Sequence, residues 1–315
     1  MSIFNERIAV IALIVASSVF LAVLAYPKID AAVASRSEID ALVTNGSRLR
    51  FEGDYDNAHI LLNDALSLSE KNDGPDSVMT ASILNQLGMV DKYAGRFDEG
   101  EALYRRALDI VDNRLTIEGD AEVQNLRADL YHNLGGLYHA RELFAEGETY
   151  ARRSVEIRTA VDGEDSLSTA ADRSALAALL SGERKYDEAE SLLLAANDRF
   201  RRSGADNEYD LIVNYNDLAA IYFAVGKNEE SRDLYLRTLA AKERLLGTEH
   251  PDVGTALNNL AMLESRTGDV VSAEQHFMRA IAIFSARLSP EHPKLAECRQ
   301  NYERLLTSAA RSNSN

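Results

Sequence analysis

Side-chain amides recur at regular intervals along the chain and could hold a bound peptide. They occur in four pairs of neighbouring residues, namely Asn85-Gln86, His132-Asn133, Asn216-Asp217 and Asn258-Asn259. Asparagine is a poor helix former because its short amide competes with the backbone for hydrogen bonds. Each amide offers both donors and acceptors, so a column of them could bind the backbone of an extended peptide whatever its sequence. The alternative is that these amides bond to neighbouring helices and loops.

Residues that could bind a metal or perform catalysis are few. His132 and His139 are seven residues apart, with Asp129 one turn earlier, so the three could share one helix face. No short-spaced pair such as HExxH supports a metal site. Gly95 and Gly100 have the spacing of a phosphate-binding loop, but Glu101 stands where that loop requires lysine. We therefore predict a protein that is not an enzyme, with no cofactor and no bound metal.

Composition limits the class of partner. Of the 315 residues, 46% are hydrophobic and 27% charged, which is typical of a globular protein. The formal net charge of -16 would repel nucleic acid, so we expect no nucleic-acid partner. Cys298 is the single cysteine, which excludes a disulfide within the chain and a zinc site built from thiolates.

An internal repeat organises the sequence. Six stretches share a turn followed by an acidic helix start: GDYDNA, GRFDEG, ELFAEG, RKYDEA, GKNEES and GDVVSA. We take as marker the third residue before the small residue of each stretch, giving Tyr55, Phe97, Phe144, Tyr186, Asn228 and Val270. The markers are 42, 47, 42, 42 and 42 residues apart, the longer spacing placing extra residues around 115–123. Such a period is the signature of a solenoid of stacked helical units.

Small residues at fixed distances from the markers indicate closely packed helix pairs. Three residues after the markers stand Ala58, Gly100, Gly147, Ala189, Ser231 and Ala273. Nine residues before the markers stand Gly46, Gly88, Gly135, Ala177, Ala219 and Ala261. Small side chains allow two helices to approach closely, so each unit is predicted to be an antiparallel helix pair.

The order of small and large residues resembles the tetratricopeptide repeat. The 42-residue period and the phrase LGTEHPDVGTALNNLAML are similar to the kinesin-light-chain type of that repeat, and LSPEHPKLAECRQNYERLL follows 42 residues later. The resemblance implies an all-α, right-handed solenoid of about six antiparallel helix pairs plus a C-terminal capping helix. It also implies a non-catalytic module that binds a protein or peptide.

In such a solenoid the first helix of each pair lines a concave groove. Twelve residues are predicted to contact the partner there: Asn85, Lys92, Tyr93, His132, Asn133, His139, Asn216, Asp217, Phe223, Asn258, Asn259 and Arg266. Chaperone-binding relatives clamp a terminal carboxylate with several basic residues, a density that this sequence does not show. The alternative function is a membrane-anchored assembly scaffold that binds through its convex face or its ends, including to further copies of itself. A regular stripe of Arg106, Arg153, Arg237 and Arg279 is predicted to be a solvated part of that face.

One apolar segment precedes the repeats. Residues 8–26 run for 19 residues without a charge, which as a helix spans about 28 Å, close to a membrane's hydrocarbon core. The segment is predicted to be an uncleaved anchor, which would make this a single-pass membrane protein with its repeats outside the cytoplasm. The alternative is a cleaved signal and a secreted or periplasmic protein. The predicted divisions are a flank (1–7), the anchor (8–26), a linker (27–39), the solenoid (40–307) and a disordered tail (308–315).

Overall fold

Antiparallel helices make up the regular structure of the chain in a computed structural model, which describes residues 36–114, 120–204 and 208–312. These residues form thirteen helices and no strand: α1 Arg36–Phe51, α2 Tyr55–Asn72, α3 Val78–Tyr93, α4 Phe97–Arg114, α5 Ala121–Ala140, α6 Phe144–Asp162, α7 Leu167–Gly182, α8 Tyr186–Ser203, α9 Glu208–Ala224, α10 Asn228–Leu246, α11 Pro251–Thr267, α12 Val270–Arg287 and α13 Pro293–Ser312. Consecutive helices pair from α1 with α2 to α11 with α12, and α13 stands last. The predicted all-α solenoid of antiparallel helix pairs is confirmed.

The markers of the repeat are the first residues of the second helices. Tyr55, Phe97, Phe144, Tyr186, Asn228 and Val270 each begin one of α2, α4, α6, α8, α10 and α12. The small residues nine before them face the second helix of the same pair. A Cβ atom added to Gly46 would lie 2.7 Å from Leu62 Cγ, and one added to Gly88 would lie 2.6 Å from Tyr104 Cε1. The small column therefore sets how closely the two helices of a pair approach.

The first helices lie on the inner side of the stack. Throughout the described residues, the first helix of each pair approaches the first helix of the next pair, whereas second helices of successive pairs do not approach each other. Elements that crowd together along a curved stack occupy its shorter, concave side. The concave surface is therefore built from α1, α3, α5, α7, α9, α11 and α13.

The last helix covers the apolar face that the sixth pair would otherwise expose. Leu295, Cys298 and Leu305 of α13 are buried in one cluster with Phe277 and Phe284 of α12. A solenoid needs such a terminal cover because each unit cannot bury its own hydrophobic face. The opposite end begins with a continuous helix, α1, in which Asn45 is exposed and donates to the carbonyl of Ala41.

The predicted membrane localisation is wrong. Among the described residues no helix is both long enough and apolar enough to cross a membrane. The apolar helix α7, for example, has 16 residues and contains the charged residues Asp172 and Arg173. The segment 8–26, on which the prediction of an anchor depended, lies outside the described residues.

Candidate partner-binding groove

Two asparagine ladders cross the first helices where their side chains are buried. Asn133 Nδ2 donates to Asn85 Oδ1 at 2.9 Å, which joins α5 to α3. Asn301 Nδ2 donates to Asn258 Oδ1 at 3.0 Å, which joins α13 to α11. All four side chains are buried, so each amide satisfies its neighbour instead of remaining unpaired in the core. These amides therefore hold successive helix pairs in register.

A third ladder is partly exposed on the concave surface. Asn259 Nδ2 donates to Asn216 Oδ1 at 3.1 Å, and Asn216 Nδ2 donates to Asp217 Oδ1 at 3.2 Å. A primary amide has two N–H donors and a carbonyl oxygen with two lone pairs, so these bonds leave part of the hydrogen-bonding capacity of both side chains unused. Burial raises the pKa of Asp217 to about 6, against the lowering effects of the Asn216 bond and of the Lys242 charge.

The predicted residues of α5 divide between an internal ion network and the groove. His132 Nδ1 lies 2.7 Å from Asp172 Oδ1, and Arg158 Nε donates to Asp172 Oδ2 at 3.3 Å. Arg158 also pairs with Asp129. The carboxylates of Asp172 and Asp129, either of which could have joined a histidine in a metal site, are therefore both paired with Arg158. No cluster of three His, Cys, Asp or Glu side chains in the described parts of the chain could hold a metal ion. His139 instead lies edge-on to Phe144, with ring centroids 5.5 Å apart.

Aromatic and cationic side chains pair at the ends of the first helices. Lys92 Nζ lies 4.8 Å from the centroid of the Tyr93 ring, and Tyr55 stacks on the same ring at 6.2 Å. Between α9 and α11, Arg266 Cζ lies 3.5 Å from the Phe223 ring centroid. Arg266 also donates to the Phe223 carbonyl and, at 2.7 Å, to Asn228 Oδ1. The Phe223–Arg266 pair is thus tied to the turn that precedes α10, whereas among the described residues Lys92 forms no ion pair and lies over the Tyr93 ring.

The stack curves far enough for its two ends to meet. His250 Nε2 lies 2.7 Å from the carbonyl oxygen of Phe51, and His292 Nε2 lies 3.0 Å from that of Tyr93. In each histidine Nδ1 accepts a backbone N–H two residues later, so Nε2 carries the proton and donates to the carbonyl. We call this double contact the seam; it consists of Phe51, Gly53, Tyr93 and Gly95 on one side and His250, Pro251, His292 and Pro293 on the other.

Glycine is required on one side of the seam for two reasons. Gly53 and Gly95 both have φ near +80°, which side chains disfavour. A Cβ atom at Gly53 would lie 3.1 Å from Pro251 Cδ, and one at Gly95 would lie 2.9 Å from Pro293 Cδ. The backbone turns of the first two pairs therefore pack directly against the prolines that start α11 and α13. The seam brings residues from opposite ends of the chain to one region of the groove.

Residues that sequence patterns did not single out lie beside the seam. The Tyr209 hydroxyl donates to Asp252 Oδ2 at 2.6 Å, and the Tyr209 ring meets Phe51 edge-on at 6.0 Å. Although burial acts to raise the pKa of Asp252, the charges of Lys242 and Lys294 and the Tyr209 bond hold it at about 2. The only sequence signal for this region was the repeated EHP phrase of residues 249–251 and 291–293, which carried the family resemblance but did not predict the contacts of its histidines.

The repeat itself decides which family the chain belongs to. The tetratricopeptide repeat profile matches residues 38–113, 126–202, 210–286 and 255–314. The chain belongs to the tetratricopeptide repeat family. Members of this family are typically protein-interaction modules, which agrees with the first part of the predicted function. No curated protein matches the chain.

Several solved tetratricopeptide repeat structures are similar to this one. BtubC (BKLC) from P. vanneervenii is 21% identical with a TM-score of 0.50, over 79% of this chain and 91% of that one. A Rap protein complexed with Competence and Sporulation Factor is 14% identical with a TM-score of 0.54, over 87% and 89%. A putative kinesin light chain from Podosopora anserina is 20% identical with a TM-score of 0.46, over 68% and 99%. At these identities the likeness to all three structures concerns the fold alone.

Proposed function

We propose that this protein captures a peptide or protein partner in its concave groove. The observation that carries the proposal is the Asn216–Asn259 ladder, in which amides on two successive first helices keep part of their hydrogen-bonding capacity on the partly exposed concave surface. Polar groups of this kind can bind the backbone of an extended chain, because a peptide bond presents one donor and one acceptor per residue. The Rap protein complex offers a precedent in which a protein of similar fold holds a bound factor.

The remaining predicted residues take different parts in this proposal. Asn85, Asn133 and Asn258 are buried and serve the stack, so Asn216, Asp217 and Asn259 are left to hold the partner backbone. Lys92, Tyr93 and His139 lie on or beside the same surface and would select partner side chains. Although the His139 side chain is partly open to solvent, desolvation by the surrounding protein atoms lowers its pKa to about 4, and the nearby Lys92 charge adds to this effect. His139 would thus offer a neutral ring to the partner at physiological pH.

The experiment is a pull-down with the full-length protein from lysate of its own source, comparing wild type with the Asn216→Ala/Asn259→Ala double variant. Because the two amides bond to each other, removing both leaves neither of them unpaired. Asp217 loses its bond from Asn216, and Asn258 loses a long 3.5 Å bond to Asn259, so we expect only a small change in melting temperature. A partner whose affinity falls more than ~10-fold in the double variant supports the groove. A partner bound equally by both proteins rules the groove out as its site.

A second candidate function has an observation of its own on the convex face. Leu194, Leu236 and Met278 stand eight residues after successive markers, and all three are exposed, by 49%, 46% and 56%. Such a line of apolar side chains on neighbouring second helices would suit a scaffold that binds along its outer surface. Leu236→Glu/Met278→Glu should abolish binding along the outer surface and leave binding in the groove intact. The arginines beside them are largely paired, as in Arg106 with Glu70 and Arg279 with Glu243, both at 2.6 Å.

A further inference from the structure

His292 lies in the seam with both of its ring nitrogens occupied by backbone groups. Nδ1 accepts the N–H of Lys294 at 3.1 Å, and Nε2 donates to the carbonyl of Tyr93 at 3.0 Å. His250 makes the same two kinds of bond one unit earlier. Only a neutral imidazole can do this, because an imidazolium carries a proton on each nitrogen and accepts nothing. The closed seam therefore requires the uncharged form of both rings.

Three of the remaining histidines face carboxylates instead. They are His59 with Asp91 at 3.5 Å, His132 with Asp172 at 2.7 Å and His276 with Glu264 at 2.7 Å. A proton on one of these rings adds an ion pair, whereas a proton on a seam ring removes the acceptor of a backbone N–H. Protonation thus has opposite consequences at the two kinds of site.

The surroundings of His292 disfavour a proton on its ring. The side chain is buried, and the Lys294 ammonium follows it in the first turn of α13. Burial, with the Lys294 charge as a smaller cause, holds the pKa of His292 below its usual range, although the bond to the Tyr93 carbonyl acts in the opposite direction. Asp252 stands at the equivalent place beside His250, where its carboxylate suits a protonated ring. Of the two seam rings, His292 is therefore the one that a proton would destabilise through its neighbour's charge.

The carboxylates nearest to His292 are already engaged. Asp54 accepts the backbone N–H of Asn57 as the cap of α2, and Asp56 lies 3.6 Å from Arg96. The charged and titratable side chains around the ring are Asp54, Tyr55 and Asp56 at the start of α2, Lys92, Tyr93 and Arg96 around the end of α3, Arg287 at the end of α12, and Glu291 and Lys294 beside His292 in sequence. In the described residues, none of these side chains accepts a hydrogen bond from the ring.

We propose that His292 is an acid-sensitive latch, in which a proton on the ring breaks the cap of α13, turns the ring out of the seam and frees the last helix from the Tyr93 turn. A cavity of about 440 Å³ borders the ring and gives it space to turn. Release of α13 would open the concave surface on one side. The inference concerns the regulation of the stack and stands without the proposed function.

The direction of the effect follows from the protons that each form binds. A ring that has left the seam regains the ordinary histidine pKa of about 6.5. The latched ring has a lower pKa, so the released form binds more protons and gains on the latched form as the pH falls below about 6.5. At pH 5.5 this gain is up to about 10-fold in the opening equilibrium.

Two carboxylates that titrate nearby would act against opening. The pKa of Asp217 is raised to about 6, and burial followed by the Glu142 charge raises that of Glu297 on α13, so acid stabilises the closed fold at both. His139 is different, because desolvation lowers its pKa to about 4 and its protonation also costs stability. His139 makes no seam contact among the described residues and provides the control.

The test compares the full-length protein at pH 8 and pH 5.5. We expect the radius of gyration from small-angle X-ray scattering to rise in acid, with unchanged helicity by circular dichroism. The hydrogen-exchange protection factor of the Lys294 amide, which bonds to the latch, should fall up to ~10-fold, and both changes should reverse at pH 8. An unchanged protection factor and radius, or swelling with loss of helicity, would overturn the latch.

Matched variants identify the responsible histidine. His292→Asn keeps a cap but has no group that titrates in this range, so its radius and protection factor should be the same at both pH values. His139→Asn should respond to acid as wild type does. A response that survives in His292→Asn, or disappears in His139→Asn, would refute His292 as the latch.

A substitution beside the ring tests the electrostatic part of the inference. Lys294→Asp copies the Asp252 carboxylate that adjoins His250 and keeps the backbone N–H that bonds to Nδ1. In the ¹³C-labelled protein it should raise the pKa of His292, and it should reduce the loss of protection at the position 294 amide in acid. If both remain as in wild type, the charge beside the ring does not control the latch and the inference fails.

Discussion

His292 and Tyr93 are 199 residues apart in sequence, yet His292 Nε2 donates to the Tyr93 carbonyl at 3.0 Å. The same imidazole accepts the N–H of Lys294 on Nδ1 at 3.1 Å, so it caps α13 and closes the stack at once. His250 repeats the arrangement one unit earlier with Phe51. Each EHP phrase thus joins a helix start to a distant turn.

Replacing the seam histidines should open the stack without unfolding its helices. Asparagine is a good N-cap but is too short to reach the opposite carbonyl, so His250→Asn/His292→Asn removes the seam bonds and keeps the caps. We expect a larger radius of gyration by small-angle X-ray scattering, with unchanged helicity. A scattering curve that superimposes on that of wild type would show that Pro251 and Pro293 suffice for closure.

The alanine variant provides the comparison for that experiment. His292→Ala loses the cap as well as the seam bond of a buried side chain, and should lower the free energy of unfolding by about 1–3 kcal/mol. Hydrogen exchange should then accelerate at the Ala296 amide in the first turn of α13, which bonds to the His292 carbonyl. The same amide should stay protected in His292→Asn.

Glycine at the helix-pair contact should not tolerate a methyl group. In Gly88→Ala the new Cβ would lie 2.6 Å from Cε1 of the fully buried Tyr104, which forces the helices apart at a cost of about 1–3 kcal/mol. Gly136→Ala is the matched control, since its Cβ would meet only the mobile end of Lys92 at 3.2 Å. Urea denaturation should show Gly88→Ala destabilised and Gly136→Ala equal to wild type or more stable. Equal stability of both variants would contradict the proposed role of the small column.

Much of the fold was predictable because its signals are local. Tyr55, Phe97 and the other markers repeat the same turn chemistry, and the small residue nine before each marker faces the helix that begins there. Both features depend on contacts within one unit. A single unit's sequence therefore specifies a single unit's structure, and the repetition specifies the stack.

The seam was not predictable in this way. Tyr93 and His292 meet because small rotations between successive units add up over the whole stack. A change of a few degrees per unit would separate Tyr93 from His292 altogether. Sequence spacing could not separate the buried amides from the partly exposed ones for a related reason. Asn85 and Asn258 have the same spacing as Asn216, but burial decides whether an amide serves the stack or the surface.

The ion pairs around Arg158 should contribute to the stability of the fold. Arg158 is buried between Asp172 and Asp129, and its removal would leave the buried Asp172 carboxylate without its arginine partner. Arg158→Ala should cost about 3–5 kcal/mol. Arg158→Ala/Asp172→Ala should cost less than the sum of the single changes, because the unpaired charge disappears as well. Additive losses in a double-mutant cycle would show that the two side chains do not interact.

Two carboxylates that face Lys242 should give pH dependences of opposite sign. The pKa of Asp217 is raised to about 6, so the folded state releases its proton at a higher pH than the unfolded chain, and ionisation costs stability as pH rises from about 4 to 6. Asp217→Asn should therefore be more stable than wild type above pH 6, by up to ~3 kcal/mol, with the difference vanishing near pH 4.

The pKa of Asp252 is lowered to about 2, so its ionised form stabilises the fold above about pH 4 and that contribution is lost towards pH 2. Asp252→Asn should be less stable than wild type at neutral pH, by roughly 2 kcal/mol, and should approach it in acid. Urea denaturation between pH 2 and 8 measures both, and parallel pH profiles for the two variants would show that Lys242 does not distinguish the carboxylates.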